Sequence, residues 1–359
     1  MGAAGVTAAL AACTAEPMPV PLPTSSPTPT VDGWGGPYPF SSGNSCQGAA
    51  NGEFATWRGR ESLVHATWGA DGATTAFLPG NEYGAWTGNM DYAPQYAFAS
   101  SGGFTWQACA DGAYDAKFEQ DLIELRDRWG DRPGTIFYRF QHEFNGTWMA
   151  WSVRSNDDAP AFVAGWRRFA SIFRRVFVGD DRYKLVWSPN AGVETTNVRD
   201  IRDLYPGSGY VDIIGIDYYD FFRIQTDEDW NKQVGALDKG GGPLGIGAWT
   251  SYASLMDKPI ALAEWGQQFG DNVLFFQKIH SFIFDKVYTG EGSPAGLFVY
   301  EIYFNQALSG ATLGGEGDFQ LEIGGQDNPA RPLAAQAYRM LWGEADKQLT
   351  KARSDSAIR

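Results

Sequence analysis

The chain is poor in the groups that metal and nucleophile chemistry most often use. Its 359 residues include three histidines, His65, His142 and His280, and three cysteines, Cys13, Cys46 and Cys109. They are scattered too widely for a metal-ligand spacing or a Cys–His pair. No Gly-x-Ser-x-Gly elbow occurs, and neither glycine-rich stretch, Gly240–Gly247 or Gly310–Gly325, leads into a Gly-Lys-Ser/Thr phosphate loop. No metal and no cofactor is therefore expected. Positive charge is also scarce: 28 Lys and Arg stand against 42 Asp and Glu, a formal charge of −14. This excludes the basic stripe that nucleic acids and anionic membrane surfaces require. No uninterrupted apolar run reaches the roughly 18 residues of a bilayer-spanning helix. Aromatic residues, by contrast, are abundant, with 14 Trp, 16 Tyr and 23 Phe. Such numbers fill a large core or line a groove that stacks flat ligands and sugar faces.

The first 32 residues differ from the rest. Met1–Ala12 is small and apolar, and Leu10-Ala11-Ala12-Cys13 resembles a bacterial lipobox, in which the Cys13 thiol takes a lipid. No Lys or Arg precedes the run, unlike a typical signal peptide, and an ordinary secretory signal with a chance cysteine is the alternative. Residues 14–32 are rich in Pro, Ser and Thr and read as an extended spacer. The expected organisation is a signal and lipobox segment over 1–13, this linker, one catalytic domain over 33–345 and a polar tail over 346–359. Both readings of the start export the protein, and its only membrane contact would be a lipid anchor. In an oxidising compartment Cys46 and Cys109 are expected to pair, closing a long loop worth about 4 kcal/mol. Two buried thiols are the alternative.

In the body, short apolar runs alternate with longer helical patterns. Strands are expected at Glu61–Thr67, Thr74–Leu78, Gln95–Ala99, Thr135–Gln141, Tyr183–Trp187, Val211–Ile216, Pro259–Ala263 and Gly296–Tyr300. Helices are expected at Tyr114–Trp129, Ala159–Val178, Asn272–Tyr288 and Pro332–Glu344. In the second, Phe162, Trp166, Phe169, Phe173 and Val176 recur at helical spacing. Strands apolar on both faces, alternating with helices, indicate a parallel sheet covered by helices. Eight of them suit an α/β fold of the (β/α)8 barrel type, a single monomeric domain. A doubly wound sheet is the alternative, because the first third shows few helices.

Acidic residues recur where these strands end: Glu143 after strand four, Asp217 and Asp220 at strand six, Glu264 after strand seven and Glu301 at strand eight. An acid directly after a buried strand is costly unless it is paired or sits at an open mouth. Several at one barrel face shift one another's pKa values, as acid–base chemistry requires. Two facing carboxylates are the minimum equipment for cleaving a glycosidic bond. Aromatics crowd the same segments: Trp148 and Trp151 beyond Glu143, Tyr218 and Tyr219, and Trp265 beside Glu264. Each alone could be core, whereas the cluster suits a sugar groove. Asp217 and Asp220 read as structural hydrogen-bonders, and Glu301 as the partner of an Arg.

Tyr138-Arg139-Phe140-Gln141-His142-Glu143-Phe144-Asn145-Gly146-Thr147-Trp148 resembles the strand-four signature of glycoside hydrolase family 26, the β-mannanases of clan A. Asp111-Gly112-Ala113-Tyr114-Asp115, Gly215-Ile216-Asp217-Tyr218-Tyr219 and Ala261-Leu262-Ala263-Glu264-Trp265-Gly266 are similar to its further segments. The resemblance implies a retaining endo-glycosidase on a polysaccharide or oligosaccharide, without cofactor. It makes Glu143 the acid/base and Glu264 the nucleophile, with Tyr219 hydrogen-bonded to the nucleophile. Arg139 and His142 would orient the site. The residues expected to touch substrate are Arg139, His142, Asn145, Trp148, Trp151, Tyr219, Trp265 and Tyr300. Two family features are missing: a His after strand three, where Ala97–Ser101 has none, and a Trp closing strand eight, where Tyr300-Glu301 stands. Both touch sugar near the cleavage point, so another glycan, such as a β-glucan, a xylan or a cell-envelope polysaccharide, is the first alternative. A non-catalytic glycan-binding surface lipoprotein is the second.

Overall fold

The computed structural model describes residues 39–45, 49, 52–69, 86, 88–94, 103–191, 200–220 and 223–343. The expected lipobox with Cys13, the linker over 14–32, the strands Thr74–Leu78 and Gln95–Ala99 and the tail over 346–359 lie outside these residues.

Eight parallel strands close into one barrel in chain order, with β8 hydrogen-bonded back to β1. They are β1 Ser41–Ser45, β2 Val64–Trp68, β3 Asn89–Ala93, β4 Ile136–Arg139, β5 Tyr183–Trp187, β6 Ile213–Tyr219, β7 Ile260–Gly266 and β8 Phe298–Tyr303. The surrounding helices are α1 Glu53–Arg58, α2 Trp106–Asp111, α3 Asp115–Trp129, α4 Ala159–Val176, α5 Asp227–Val234, α6 Ile246–Leu255 and α7 Val273–Phe284. A last helix, α8, runs over 332–343. This is the (β/α)8 architecture, and it rules out the doubly wound alternative.

The second half of the barrel is built by apolar burial. Phe140 stacks on Phe169 of α4 at 3.7 Å between ring centroids, and Phe169 also meets Phe118 of α3 and Tyr138 of β4. The spacing of Phe162, Trp166, Phe169 and Phe173 gives α4 its wide apolar stripe, and all four are buried.

The first part is built differently, and here the expected strands are corrected. β1 is Ser-Ser-Gly-Asn-Ser, fully buried yet without an apolar side chain. Polar bonds hold it: Asn89 Nδ2 donates to Ser41 Oγ (2.8 Å), Arg58 Nη1 to Ser42 Oγ (2.9 Å) and Ser62 Oγ to Asn44 Oδ1 (3.0 Å). At Gly43 the neighbouring strand lies so close that a Cβ would stand 1.8 Å from the Val64 carbonyl oxygen. The third barrel strand is Asn89–Ala93, carrying buried Asn89 and Asp91, and not Gln95–Ala99.

Cys109 is a free, buried thiol. It sits where α2 packs on α4, and its Sγ donates to the Gly165 carbonyl at 3.6 Å. The expected bridge to Cys46, a residue outside the described ones, is therefore not made. Burial first, and Asp115 second, hold the thiol up at about 12, far from thiolate reactivity.

Candidate active site

A cleft of about 460 Å³ opens at the carboxyl ends of the strands, the face at which such barrels place chemistry. Glu143 and Glu264 both line it, together with His142, Trp148, Asn190 and Tyr219. A wider hollow of about 670 Å³ lies beside α4, lined by Ala159, Pro160, Val163 and Arg167, none of them at a strand end.

Glu143 reaches the cleft through a contorted backbone. After β4, Gln141 and Glu143 both take left-handed conformations (φ 52° and 51°), which cost about 1–3 kcal/mol each for non-glycine residues. Backbone and side-chain bonds hold the turn: Glu143 N–H donates to the Ser188 carbonyl at 2.7 Å, and Trp151 Nε1 to the His142 carbonyl at 2.6 Å. The carboxylate accepts two bonds from uncharged donors, Asn190 Nδ2 at Oε1 and Trp148 Nε1 at Oε2, both at 2.7 Å. Asn145 fixes Asn190 by a reciprocal pair of 2.8 Å bonds to its backbone N–H and carbonyl. Burial, followed by the charge of Glu264, pushes Glu143 up to about 7, although the Asn190 and Trp148 bonds pull the other way. Near neutral pH this carboxyl can carry a proton.

Glu264 stands on β7, at a register shift where Asp217 pairs with Glu264 after Ile216 has paired with Leu262. Its partners are a cation and a phenol. Arg139 Nη1 donates to Oε1 at 2.5 Å, and Tyr219 Oη to Oε2 at 3.0 Å. The Arg139 guanidinium is wholly buried and also bonds Asp91 through Nε (2.6 Å) and Asp217 through Nη1 (3.3 Å). Tyr300 Oη donates to the second Asp91 oxygen at 2.8 Å. One cation thus meets three buried acids. Burial raises Asp91 to about 6, and burial with the Glu264 charge holds Asp217 well above the usual carboxylate range. Burial, then Arg139, holds His142 far below its usual value, so the imidazole facing the cleft is neutral.

The other expected contacts are distributed unevenly. His142, Trp148 and Tyr219 line the cleft, and Trp148 is 38% exposed. Arg139 and Asn145 lie beneath it, gripping Glu264 and Asn190. Three residues are corrected. Trp265 is fully buried among Tyr303, Trp342 and Phe276. Trp151 is buried against His142, and Tyr300 stacks on Phe137 inside the barrel at 4.2 Å. Rings on the outward side of a strand, or below its last residue, point into packing rather than the mouth. Glu301 accepts a 2.5 Å bond from Trp265 Nε1 in place of the expected Arg pair. Asp217 and Asp220 are hydrogen-bonded as expected, Asp220 by the Gln268 N–H at 2.6 Å.

Sequence reasoning missed Asn190, Asp91, and the cleft rings Trp68, Phe304 and Phe319. It ended strand eight at Tyr300, whereas β8 continues to Tyr303 and the residue at its mouth is Phe304, an aromatic after all. Asn190 stands three residues beyond the end of β5, and a search of strand ends for amides as well as acids would have found it. The glycine-rich segment after β8 adds Leu308–Ala311 and Glu316–Gly317 to the cleft wall. Among the described residues no cluster of three or more His, Cys, Asp or Glu could hold a metal. Asp318 spends its oxygens on the Gly314 and Gln320 N–H groups.

The model of glycosyl hydrolase family 26 matches residues 116–280. Over 128 residues the chain is 28% identical to mannan endo-1,4-beta-mannosidase A and B of Caldalkalibacillus mannanilyticus, covering 34% of this chain and 24% of that protein. Over 134 residues it is 31% identical to endoglucanase H of Acetivibrio thermocellus, covering 36% of this chain and 14% of that one. The chain thus aligns with a quarter or less of either relative's length. Among solved structures, the catalytic domain of an endo-beta-1,4-mannanase from Bacillus sp. JAMB-750 superposes with a TM-score of 0.55 at 16% identity, covering 83% of this chain and 85% of that one. That likeness is one of fold.

Proposed function

We propose that this chain, which belongs to glycosyl hydrolase family 26 through residues 116–280, is a retaining glycoside hydrolase that cuts a β-mannan-type polysaccharide within its length. The observation that carries this reading is the contrast between two carboxylates sharing one cleft. Glu143 sits between uncharged donors and is pushed up to about 7, whereas Glu264 is held by a guanidinium and a phenol. One environment favours a protonated acid and the other aims a carboxylate at the cleft, the division of labour that the reaction needs.

In the first step the Glu143 carboxyl gives its proton to the glycosidic oxygen as the Glu264 carboxylate attacks the anomeric carbon. The carbon–oxygen bond to the leaving sugar breaks and a glycosyl ester forms on Glu264. In the second step the Glu143 carboxylate takes a proton from water, whose oxygen attacks the same carbon and frees Glu264. Arg139 and Tyr219 fix the nucleophile's orientation, and Trp148 offers its half-exposed ring to a sugar face. Two inversions retain configuration, and a carboxyl separation of about 5–5.5 Å accompanies that outcome. The proposed setting is the cell exterior, with the barrel over 33–345 as a monomeric catalytic domain and Cys13 as the site of a lipid anchor.

The test is reducing-sugar release from mannan, galactomannan, glucomannan, mixed-linkage β-glucan and xylan by wild type and Glu264→Ala. Release from a mannan that the substitution abolishes is the expected result. Release from β-glucan alone would move the substrate to the reading that the endoglucanase relative favours. Tight glycan binding without turnover by folded wild type would replace the enzyme with a glycan-binding protein.

A further inference from the structure

Beside the cleft, where the loops after β6 and β7 meet, lies a second hollow of about 380 Å³. Asp220, Arg223, Phe269, Asp271 and Asn272 are among its lining residues. It adjoins the catalytic cleft in sequence and space: Asp220 follows Tyr219 and Phe269 follows Gln268, and both Tyr219 and Gln268 line the cleft.

The charges in this hollow are unequally engaged. Asp271 is consumed as the cap of α8, its two oxygens accepting from the N–H groups of Leu333 (3.0 Å) and Ala334 (2.6 Å). Asp220 is buried, and its Oδ1 accepts from the Gln268 N–H. Asn272 ties the two loops by donating to the Ile224 carbonyl. Arg223 is different. Its guanidinium lies 4.4 Å from the Phe269 ring centroid, and it makes no ion pair among the described residues. Its backbone is held left-handed at φ 47°, a conformation that an arginine adopts only when its surroundings impose it. Stacking on a ring face immobilises the guanidinium plane and leaves its edge N–H groups free, the preorganised fork that matches a carboxylate.

We propose that this hollow is a subsite for a carboxylate-bearing sugar residue of the glycan, gripped by Arg223; the assignment rests on the glycosidase reading above. The ligand is a single acidic residue in an otherwise neutral chain. A polyuronate would meet the overall charge of −14 and the exposed Glu316 carboxylate in the cleft wall, both of which repel it. Because the hollow is set to one side of Glu143 and Glu264, the acidic sugar is held away from the cleaved bond, and cutting falls at a fixed distance from it.

Binding is tested without turnover, by ligand-observed NMR on the whole protein with methyl β-glucuronide, methyl β-mannoside and acetate as probes. The expected result is binding of the glucuronide in preference to the other two, weakened about tenfold in Arg223→Gln and partly restored in Arg223→Lys. In hydrolysis, the ratio of kcat/KM on a glucuronic-acid-substituted mannan to that on plain mannan falls by a similar factor in Arg223→Gln. Products of the wild type end at a constant number of sugars from the acidic one. Equal binding of acetate and glucuronide, or a glucuronide affinity untouched by Arg223→Gln in protein with unchanged thermal melting, would overturn the proposal. Arg223-dependent glucuronide binding by a protein that hydrolyses no glycan would keep the subsite and remove the glycosidase reading instead.

Discussion

The two walls of the cleft solve opposite electrostatic problems with different materials. On the β4–β5 wall, Glu143 receives only an amide and an indole N–H. Hydrogen bonds from uncharged donors compensate part of the carboxylate's desolvation and leave the remainder to raise its pKa. On the β6–β7 wall, Glu264 receives a full positive charge from Arg139, which also bonds Asp91 and Asp217. The comparison teaches that burial alone does not define a carboxylate's surroundings: both side chains are nearly covered, yet the charge of their donors differs from wall to wall. It also shows that the anionic wall is a network spanning β3, β4, β6 and β7, whereas the acid wall is a local arrangement of β4, its following turn and β5.

The sharpest way to separate the walls is to remove each carboxylate in turn. Glu264→Ala is expected to lower kcat by about 10⁴-fold or more, and the loss leaves a cavity into which azide can enter. Azide attacking in the nucleophile's place gives a glycosyl azide of inverted configuration. Glu143→Ala with an activated aryl glycoside gives the opposite anomer, because azide then attacks the enzyme ester in place of water. NMR of the two products checks the assignment, and identical anomers from both variants would reverse or void it.

Breaking the network is the next largest perturbation. Arg139→Met leaves Asp91, Asp217 and Glu264 buried without their cation, a change worth about 3–5 kcal/mol of stability. A clear drop in thermal melting is expected near neutral pH. It shrinks at acid pH, where Asp91 and Asp217 take up protons. The sign follows from the raised folded values of these two: Asp91, at about 6, and Asp217, held well above the usual carboxylate range, take up protons early as the pH falls. A melting deficit that stays constant down to pH 4 would mean that packing, and not charge, is what Arg139 supplies.

On the acid wall the expected effects are smaller and show in the pH profile. With Glu143 at about 7, kcat/KM falls as pH rises through that value. The Asn190 bond favours the ionised form, so Asn190→Ala moves the alkaline limb upward while lowering the maximal rate about 10–100-fold through lost positioning. A limb that moves downward would show that Asn190 holds the protonated carboxyl.

How much of this could be read from the sequence also divides along the barrel. From β4 onward the strands are buried by apolar residues and flanked by helices, so hydrophobic periodicity found all five of them and the acids at their ends, besides β2. β1 is buried by hydrogen bonds among serines, asparagines and Arg58, and β3 carries Asn89 and Asp91 inward. β1 offers no apolar signal and was not found, and β3, whose buried Met90 and Tyr92 alternate with those polar residues, was sought at Gln95–Ala99. The same logic covers the site. Glu143 and Glu264 were visible because acids after apolar runs are anomalous, and Asn190 was not, because an amide in that place is not. Trp151, Trp265 and Tyr300 misled because proximity in sequence to a catalytic acid does not say which way a ring points.

The finest discrimination concerns Trp148, the donor to the other Glu143 oxygen. Unlike the buried Asn190, its side chain is 38% exposed, so water can take over the bond when the indole N–H is removed. Trp148→Phe keeps a flat face for the sugar and deletes the donor. The alkaline limb of kcat/KM therefore moves upward by less than in Asn190→Ala, with KM changed by about threefold or less. Profiles of the two single variants and the double variant, measured on one substrate, order the two donors. Should Trp148→Phe move the limb further than Asn190→Ala, the solvent-facing indole would govern the proton, and the acid wall would take its control from the cleft mouth rather than from the buried end of β5.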